Sequence, residues 1–466
     1  MADDARRNGS CGQSNSSYTL DALQADSYRG TVPLEASETA GTPLADLEVL
    51  GPVHEPTFGA LRSPDFRVFW YGALVYQIAL STQFFAIGLF VLRLARAEHV
   101  QGRPALYAGV LGLAISLPSL LLGIFAGVVM DRVDRRKILL WEQSVALLCG
   151  AGIAALVVSG AANFGWVLIW AVITGAMGCF GRIARHAILP GLVGPVLLTS
   201  AVVLNSSTFR LSFIVGPAIG GFLIGPLGVS LGGILIISAS VYVVSLLLFL
   251  RVPPQRTPEA GESGDRPGMG ASIRAGLVFM REKAFVRWQL LLLLAVTMLA
   301  NPLRDLLIPY ASEVLHKGDS GAAKLGVAYG IGGVVALVAP LVGARLGRGR
   351  VFVLSCLGTG SALVLFGVQR SLVPAFILVL IVTLLMMSGM VLCTMITQLT
   401  TPDGLLGRVL GAQLLVVDFA IAVGTLLLGG VGSVIGIDVA MTISGVLLTL
   451  VAVLVFTRAP VLRAIP

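Results

Sequence analysis

Charge is what this sequence has least of. Of its 466 residues, 12% are Asp, Glu, Lys or Arg, about half the share found in soluble domains, roughly 25%. With 56% hydrophobic residues and a mean hydropathy of +0.91, an ordinary water-soluble domain is excluded and a polytopic membrane protein is indicated. Cysteine is scarce as well. Cys11, Cys149, Cys179, Cys356 and Cys393 form no CxxC pair, and four of them lie in apolar runs, where a free thiol packs as a small hydrophobe. His54, His99, His186 and His316 are widely spaced, so no metal site is expected. The lack of a Walker A loop argues against ATP hydrolysis. Gly228-Val229-Ser230-Leu231-Gly232 matches a nucleophile elbow in form, yet it falls at a turn between two apolar runs rather than between strand and helix. Neither enzyme chemistry nor a cofactor is expected.

What is present is a series of long apolar runs. They predict spans at residues 68–94, 105–130, 138–159, 164–184, 201–225 and 230–250, then at 288–312, 324–344, 351–369, 372–396, 408–431 and 436–457. Each is long enough to cross a bilayer as a helix, which takes about 20 residues. The fold class is therefore all-α, with twelve transmembrane helices in two six-helix halves, 67–250 and 288–457. Residues 1–66 carry ten acids against four arginines and no apolar run, the composition of a disordered tail. They show no signal peptide and are expected to stay in the cytoplasm. Residues 251–287, with Pro253, Pro254, Gly261, Gly264, Pro267 and Gly268, read as a solvated linker. Residues 458–466 form a short C-terminal tail.

The net charge of +8 reflects orientation rather than nucleic-acid binding. Lys and Arg concentrate in the connections after even-numbered spans, as in Arg132, Arg135, Arg136 and Lys137 or Arg345, Arg348 and Arg350. Cytoplasmic loops hold such an excess, so both termini are expected in the cytoplasm, with the chain in the plasma or inner membrane. The first of these loops, Gly127-Val-Val-Met-Asp131-Arg132-Val-Asp134-Arg135-Arg136-Lys137, packs six charges into its last seven residues. The pattern Gly-x-x-x-Asp-Arg-x-x-Arg-Arg resembles the loop between spans 2 and 3 of the major facilitator superfamily of secondary transporters. The resemblance implies that Gly127, Asp131, Arg132, Arg135 and Arg136 form a gating motif, with Asp131 set against the positive start of span 11 near Leu406-Gly407-Arg408. A second cationic turn, Gly343-Ala-Arg345-Leu-Gly347-Arg348-Gly-Arg350, lacks the acid and reads as a degraded copy, as expected of parallel repeats.

In span 5, Gly216-Pro217-Ala218-Ile219-Gly220-Gly221 resembles the end of a motif of proton-coupled exporters, without its upstream glycines. Residues 190–209 and Thr401-Pro402-Asp403-Gly404-Leu-Leu-Gly407-Arg408-Val409 resemble macrolide-efflux and enterobactin-exporter-like members. These resemblances imply export of a small, largely apolar molecule, of antibiotic, macrolide or siderophore type, by proton-coupled alternating access. The expected partners are the substrate, protons and the lipid bilayer, with the chain acting as a monomer.

Ionisable residues inside spans rarely face lipid, which singles out Arg210, Arg304, Asp305 and Asp418, with Asn301 on the face of Arg304 and Asp305. Aligning spans 5 and 11 sets Arg210 opposite Asp418. Asp418 is the expected proton carrier, because Ala422, Thr425 and Gly429 leave a small-residue face beside it, and a change in its exposure or its distance to Arg210 would move a proton. Gln77, Ser81, Phe84, Phe85 and Gly88 share a face of span 1, and Met386, Met387 and Met390 recur on span 10. Such surfaces repack around varied apolar ligands, though plain helix packing is the commoner origin of both stripes. No acid lies in spans 1 or 4. An uptake symporter and a non-transporting membrane sensor or scaffold remain alternatives.

Overall fold

In a bilayer every backbone N–H and C=O must be bonded within the protein, which leaves helices as the solution for long apolar segments. The computed structural model describes residues 58–97, 104–194, 196–254, 284–401 and 403–463. It contains twelve helical segments long and apolar enough to cross a membrane. Spans 1 to 6 are built on helices Pro64–Ala97, Pro104–Arg132, Arg135–Val158, Phe164–Ala187, Leu198–Ile224 and Leu231–Phe249. Spans 9 to 12 are Arg348–Gly367, Leu372–Thr400, Asp403–Ile435 and Ile437–Arg458. Span 7 is two helices, Ala284–Ala300 and Leu303–Glu313, broken at Asn301-Pro302, where proline has no N–H to donate. Span 8 passes from Gly318–Val335 through a 3₁₀ turn to Ala339–Leu346.

Local chemistry fixes the ends. Asp134 caps span 3 by accepting from the Arg136 amide at 2.9 Å, Asn163 caps span 4 through Trp166 at 3.1 Å, and Ser230 caps span 6 through Gly233 at 3.1 Å. Gly436, at φ 97°, is the only residue between spans 11 and 12. That left-handed conformation reverses the chain in one residue and favours glycine.

The described chain begins to pack earlier than residue 66. Ala60 is fully buried and its amide donates to Ser200 Oγ at 3.1 Å, while Ser63 Oγ donates to the Leu192 carbonyl at 2.9 Å. Residues 1–57, and 255–283 of the expected linker, lie outside the described residues.

Within the first half, span 1 packs on spans 5 and 6, span 2 on span 4, and span 3 on spans 4 and 6. Within the second, span 9 packs on spans 10 and 12, and span 8 on spans 7 and 10. The halves meet through span 2 with span 11 and span 5 with span 8. Leu148, Val373 and Val434 are more than 70% exposed, an outer surface suited to lipid tails.

Among the described residues, contacts between the halves cluster toward the end that carries the loops after odd-numbered spans. There a Cβ added at Gly109 would lie 2.6 Å from the Thr425 carbonyl, and one at Gly429 would lie 2.6 Å from that of Ala105. Only glycine lets these backbones approach so closely. Pro217 rests on Gly326. Arg93 pairs with Asp319 at 2.8 Å, and Arg96 donates to Ser312. This end of the bundle is shut.

Candidate functional site

Between the halves lies a cavity of about 600 Å³. Its wall includes Gln77, Arg210, Asn301, Arg304, Asp305 and Asp418, so every in-span polar residue singled out from sequence meets it. Their partners differ from expectation. Arg210 does not pair with Asp418; its Nη1 donates to the Gly333 carbonyl of span 8 at 3.0 Å. The repeat alignment relates equivalent positions in the two halves, and equivalence is not adjacency: span 5 packs on span 8, whereas span 11 packs on span 2.

Asp418 instead accepts from Arg182 of span 4, Nη2 to Oδ2 at 3.0 Å, and the same guanidinium reaches Ser119 Oγ at 3.2 Å. This ion pair joins the halves inside the cavity. Asp418 is 8% exposed, and the Arg182 side chain is half exposed. The small-residue face beside Asp418 is not open to water or substrate. Ala422 and Thr425 are buried, and Gly429 is pressed on span 2.

Arg304 and Asp305 form no ion pair with each other. The Arg304 guanidinium lies 4.5 Å from the ring centroid of Phe213 and 5.7 Å from that of Phe84, within reach of a cation–π attraction. Asp305 turns to the span 2 and span 11 contact, where a Cβ added at Gly112 would come 3.1 Å from its Oδ2. The buried Gln77 Oε1 and Asn205 Oδ1 have no hydrogen-bond partner among the described residues, and both residues face the cavity.

A second charged cluster was not anticipated. Glu142 of span 3 is buried and accepts from Arg185 of span 4 at 2.6 Å and from the Tyr76 hydroxyl of span 1 at 3.1 Å. The Arg185 guanidinium also lies 5.3 Å from the Tyr76 ring centroid. Nearby, Tyr242 donates to Gln83 at 2.8 Å. The signal was present in Arg182-Ile-Ala-Arg185, two cations three apart and so on one helical face. Ending span 4 at residue 184 assigned them to its margin.

Of the gating motif, the side chains of Gly127, Asp131 and Arg132 lie outside those described, as do those of Leu406, Gly407 and Arg408. Arg135 begins span 3, and Arg136 Nη2 donates to the Leu250 carbonyl at 2.6 Å, tying that turn to the end of span 6. In span 5, Gly216 and Gly220 admit Ser81 and Phe85 of span 1, and Gly221 admits Ala323 of span 8. Pro217 lines the cavity. Met387 does so too, whereas Met386 is fully buried in the second-half core.

No group of three metal-binding side chains occurs among the described residues. The arrangement is suited to holding a small molecule between two bodies and to exchanging one ion-pair geometry for another. Comparison with known proteins bears on the family and the fold. Residues 55–464 match the family model described as transmembrane secretion effector. The enterobactin exporter EntS of Shigella boydii serotype 18 is 28% identical over 362 residues, covering 74% of this chain and 82% of that protein. Its counterpart in Escherichia coli O81 matches to the same extent. Among solved structures, an inward-facing, unoccupied bacterial homologue of the human lysosomal transporter Spinster aligns with a TM-score of 0.68 at 14% identity, covering 84% of this chain and 97% of that one. A D-xylose–proton symporter aligns at 0.67 and 13% identity, covering 85% and 98%. At such identities these structures speak for the fold.

Proposed function

Because the chain belongs to the transmembrane secretion effector family of the major facilitator superfamily, and is thus a multi-pass membrane transporter and not an enzyme, we propose that it exports a small, largely apolar molecule across the cell membrane in exchange for protons. Both termini then lie in the cytoplasm, and the shut end of the bundle faces outward. The relatives that match most of its length are exporters by name, which favours outward transport over uptake.

The observation that carries the coupling is the Arg182–Asp418 pair, the described ion pair that crosses between halves inside the cavity. Removing one partner of a buried pair costs about 3–5 kcal/mol, because the other charge is left uncompensated; the half-exposed arginine reduces that figure here. A rocking motion that separates Arg182 from Asp418 leaves that carboxylate without its counter-ion, and re-forming the pair restores it, so Asp418 is proposed as the proton carrier. Binding and release of a proton are thereby tied to which end of the bundle is open.

The test uses Asp418→Asn in proteoliposomes, with a panel of antibiotics, macrolides and siderophores first screened by accumulation in cells with and without the protein. Substrate binding should persist while transport driven by a pH gradient is lost. If gradient-driven transport survives in that variant but disappears in Asp305→Asn, the carrier lies in span 7 instead.

A further inference from the structure

Four arginines and three acids line the cavity: Arg182, Arg185, Arg210 and Arg304 against Glu142, Asp305 and Asp418. Two pairs cancel, Arg182 with Asp418 and Arg185 with Glu142. Asp305 then offsets one of the two remaining cations in number, leaving the wall with one positive charge in excess. Arg210 is anchored to the Gly333 carbonyl. The Arg304 side chain donates to no described acceptor; its guanidinium lies over the rings of Phe84 and Phe213, with Asp305 and Tyr329 within electrostatic reach. A guanidinium carries five N–H donors, and the rings beside it supply no acceptor oxygen for them. Asp305, the next residue, cannot readily accept from them, since neighbours on a helix project about 100° apart, and it rests against spans 2 and 11 instead.

We propose that Arg304 is the anchor for an anionic group on the transported molecule, a carboxylate or comparable oxyanion carried on an aromatic or apolar body. The fork of a guanidinium matches two carboxylate oxygens, and a single negative charge neutralises the excess on the wall. The body of such a ligand finds apolar contact beside the anchor. Phe209 stacks edge-on to Phe213 at 4.7 Å, and the Tyr329 ring lies 6.0 Å from Phe213.

The placement also links binding to motion. Arg304 belongs to the second half, whereas Phe84 and Phe213 belong to the first, so the guanidinium is itself a contact between the halves. An anion that draws Arg304 off those rings loosens the shut end, and a bound substrate thereby favours the opening that releases it. This rests on the transport reading above, and deepens it by naming the charge of the substrate.

The test is binding to the full-length protein in lipid nanodiscs, read by fluorescence, with dansylglycine as the aromatic carboxylate and its neutral amide as the matched control. A charge-assisted hydrogen bond contributes enough that the carboxylate should bind about tenfold or more tighter than the amide. Arg304→Gln should collapse that ratio to near one. Arg304→Lys, which keeps the charge but not the fork, should retain part of it. A wild-type protein that binds the two probes equally, or an Arg304→Gln variant that keeps the preference, overturns the inference; the wild-type comparison needs no variant to fold. The readout requires no transport. Anion preference without any transport would fault the exporter reading alone, and transport of substrates without anion preference would fault this inference alone.

Discussion

The two halves hold opposite chemistries at the same place. In the first, Gly181 of span 4 leaves room for Glu142 of span 3, and four residues on, Arg185 pairs with that carboxylate. In the second, Gly389 of span 10 leaves room for Cys356 of span 9, a Cβ there lying 3.3 Å from its Sγ, and four residues on stands Cys393. The first span of each half completes the cluster. Tyr76 of span 1 donates to Glu142, whereas Gln289 of span 7 donates to the Cys393 carbonyl at 2.7 Å and to Thr397 Oγ1 at 2.8 Å. One architecture thus accepts an ion pair or two thiols. The glycine and the reach from the first span are what packing requires, and the charges are a choice made by one half.

Glu142→Gln should produce the largest effect. It leaves the Arg185 cation buried without its counter-ion, a change that costs about 3–5 kcal/mol, and little folded protein should remain in detergent extracts. Glu142→Gln combined with Arg185→Met removes both charges and should restore most of the melting temperature, as neutral replacements of whole buried pairs commonly do. If the double variant melts as poorly as the single one, the pair is required as such and the likeness between halves is superficial.

The glycines offer a smaller and sharper contrast. A methyl at Gly181 would fall on the Glu142 carboxylate itself, held in place by two hydrogen bonds, while one at Gly389 would meet only the edge of a sulfur. Gly181→Ala should therefore destabilise by about 1–3 kcal/mol, the range for overpacking, and Gly389→Ala by less. Equal melting temperatures for the two variants would show that Glu142 has slack that its partners conceal.

This asymmetry also marks how far the sequence could be read. Twelve spans follow from apolar runs, since a bilayer demands long helices wherever such runs occur. Cavity residues such as Arg304, Asp305 and Asp418 were legible because a charge deep in a span has few places to go. Glu142 was not, because it stands seven residues from the start of its helix, about 10 Å at helical rise, where a charge passes for an interfacial one. Nor was Arg182 legible as the partner of Asp418. That pairing depends on which spans of opposite halves touch, and no local pattern encodes it. The partner chosen by alignment, Arg210, shared a repeat position and not a neighbourhood.

The smallest effect is expected at Cys356. Its sulfur is fully buried and accepts no hydrogen bond among the described residues, while the neighbouring Cys393 sulfur receives Gln289 at 3.2 Å and Gln413 at 3.4 Å. Replacing Cys356 by serine exchanges a thiol for a smaller hydroxyl that must find a partner once buried. Span 9 supplies one, because its own hydroxyls already bond back along the helix, Thr359 to the Ser355 carbonyl at 2.7 Å and Ser361 to that of Leu357 at 3.1 Å. A serine at 356 can reach the Phe352 carbonyl in the same way. The remaining loss is a small reduction in packed volume, on the order of 1 kcal/mol. Cys356→Ser should therefore melt within a few degrees of the parent, as expected of a domain of this size or larger, with transport unchanged. A loss comparable to that of Glu142→Gln would mean that the two thiols carry a role of their own, and that the second half is no neutral copy of the first.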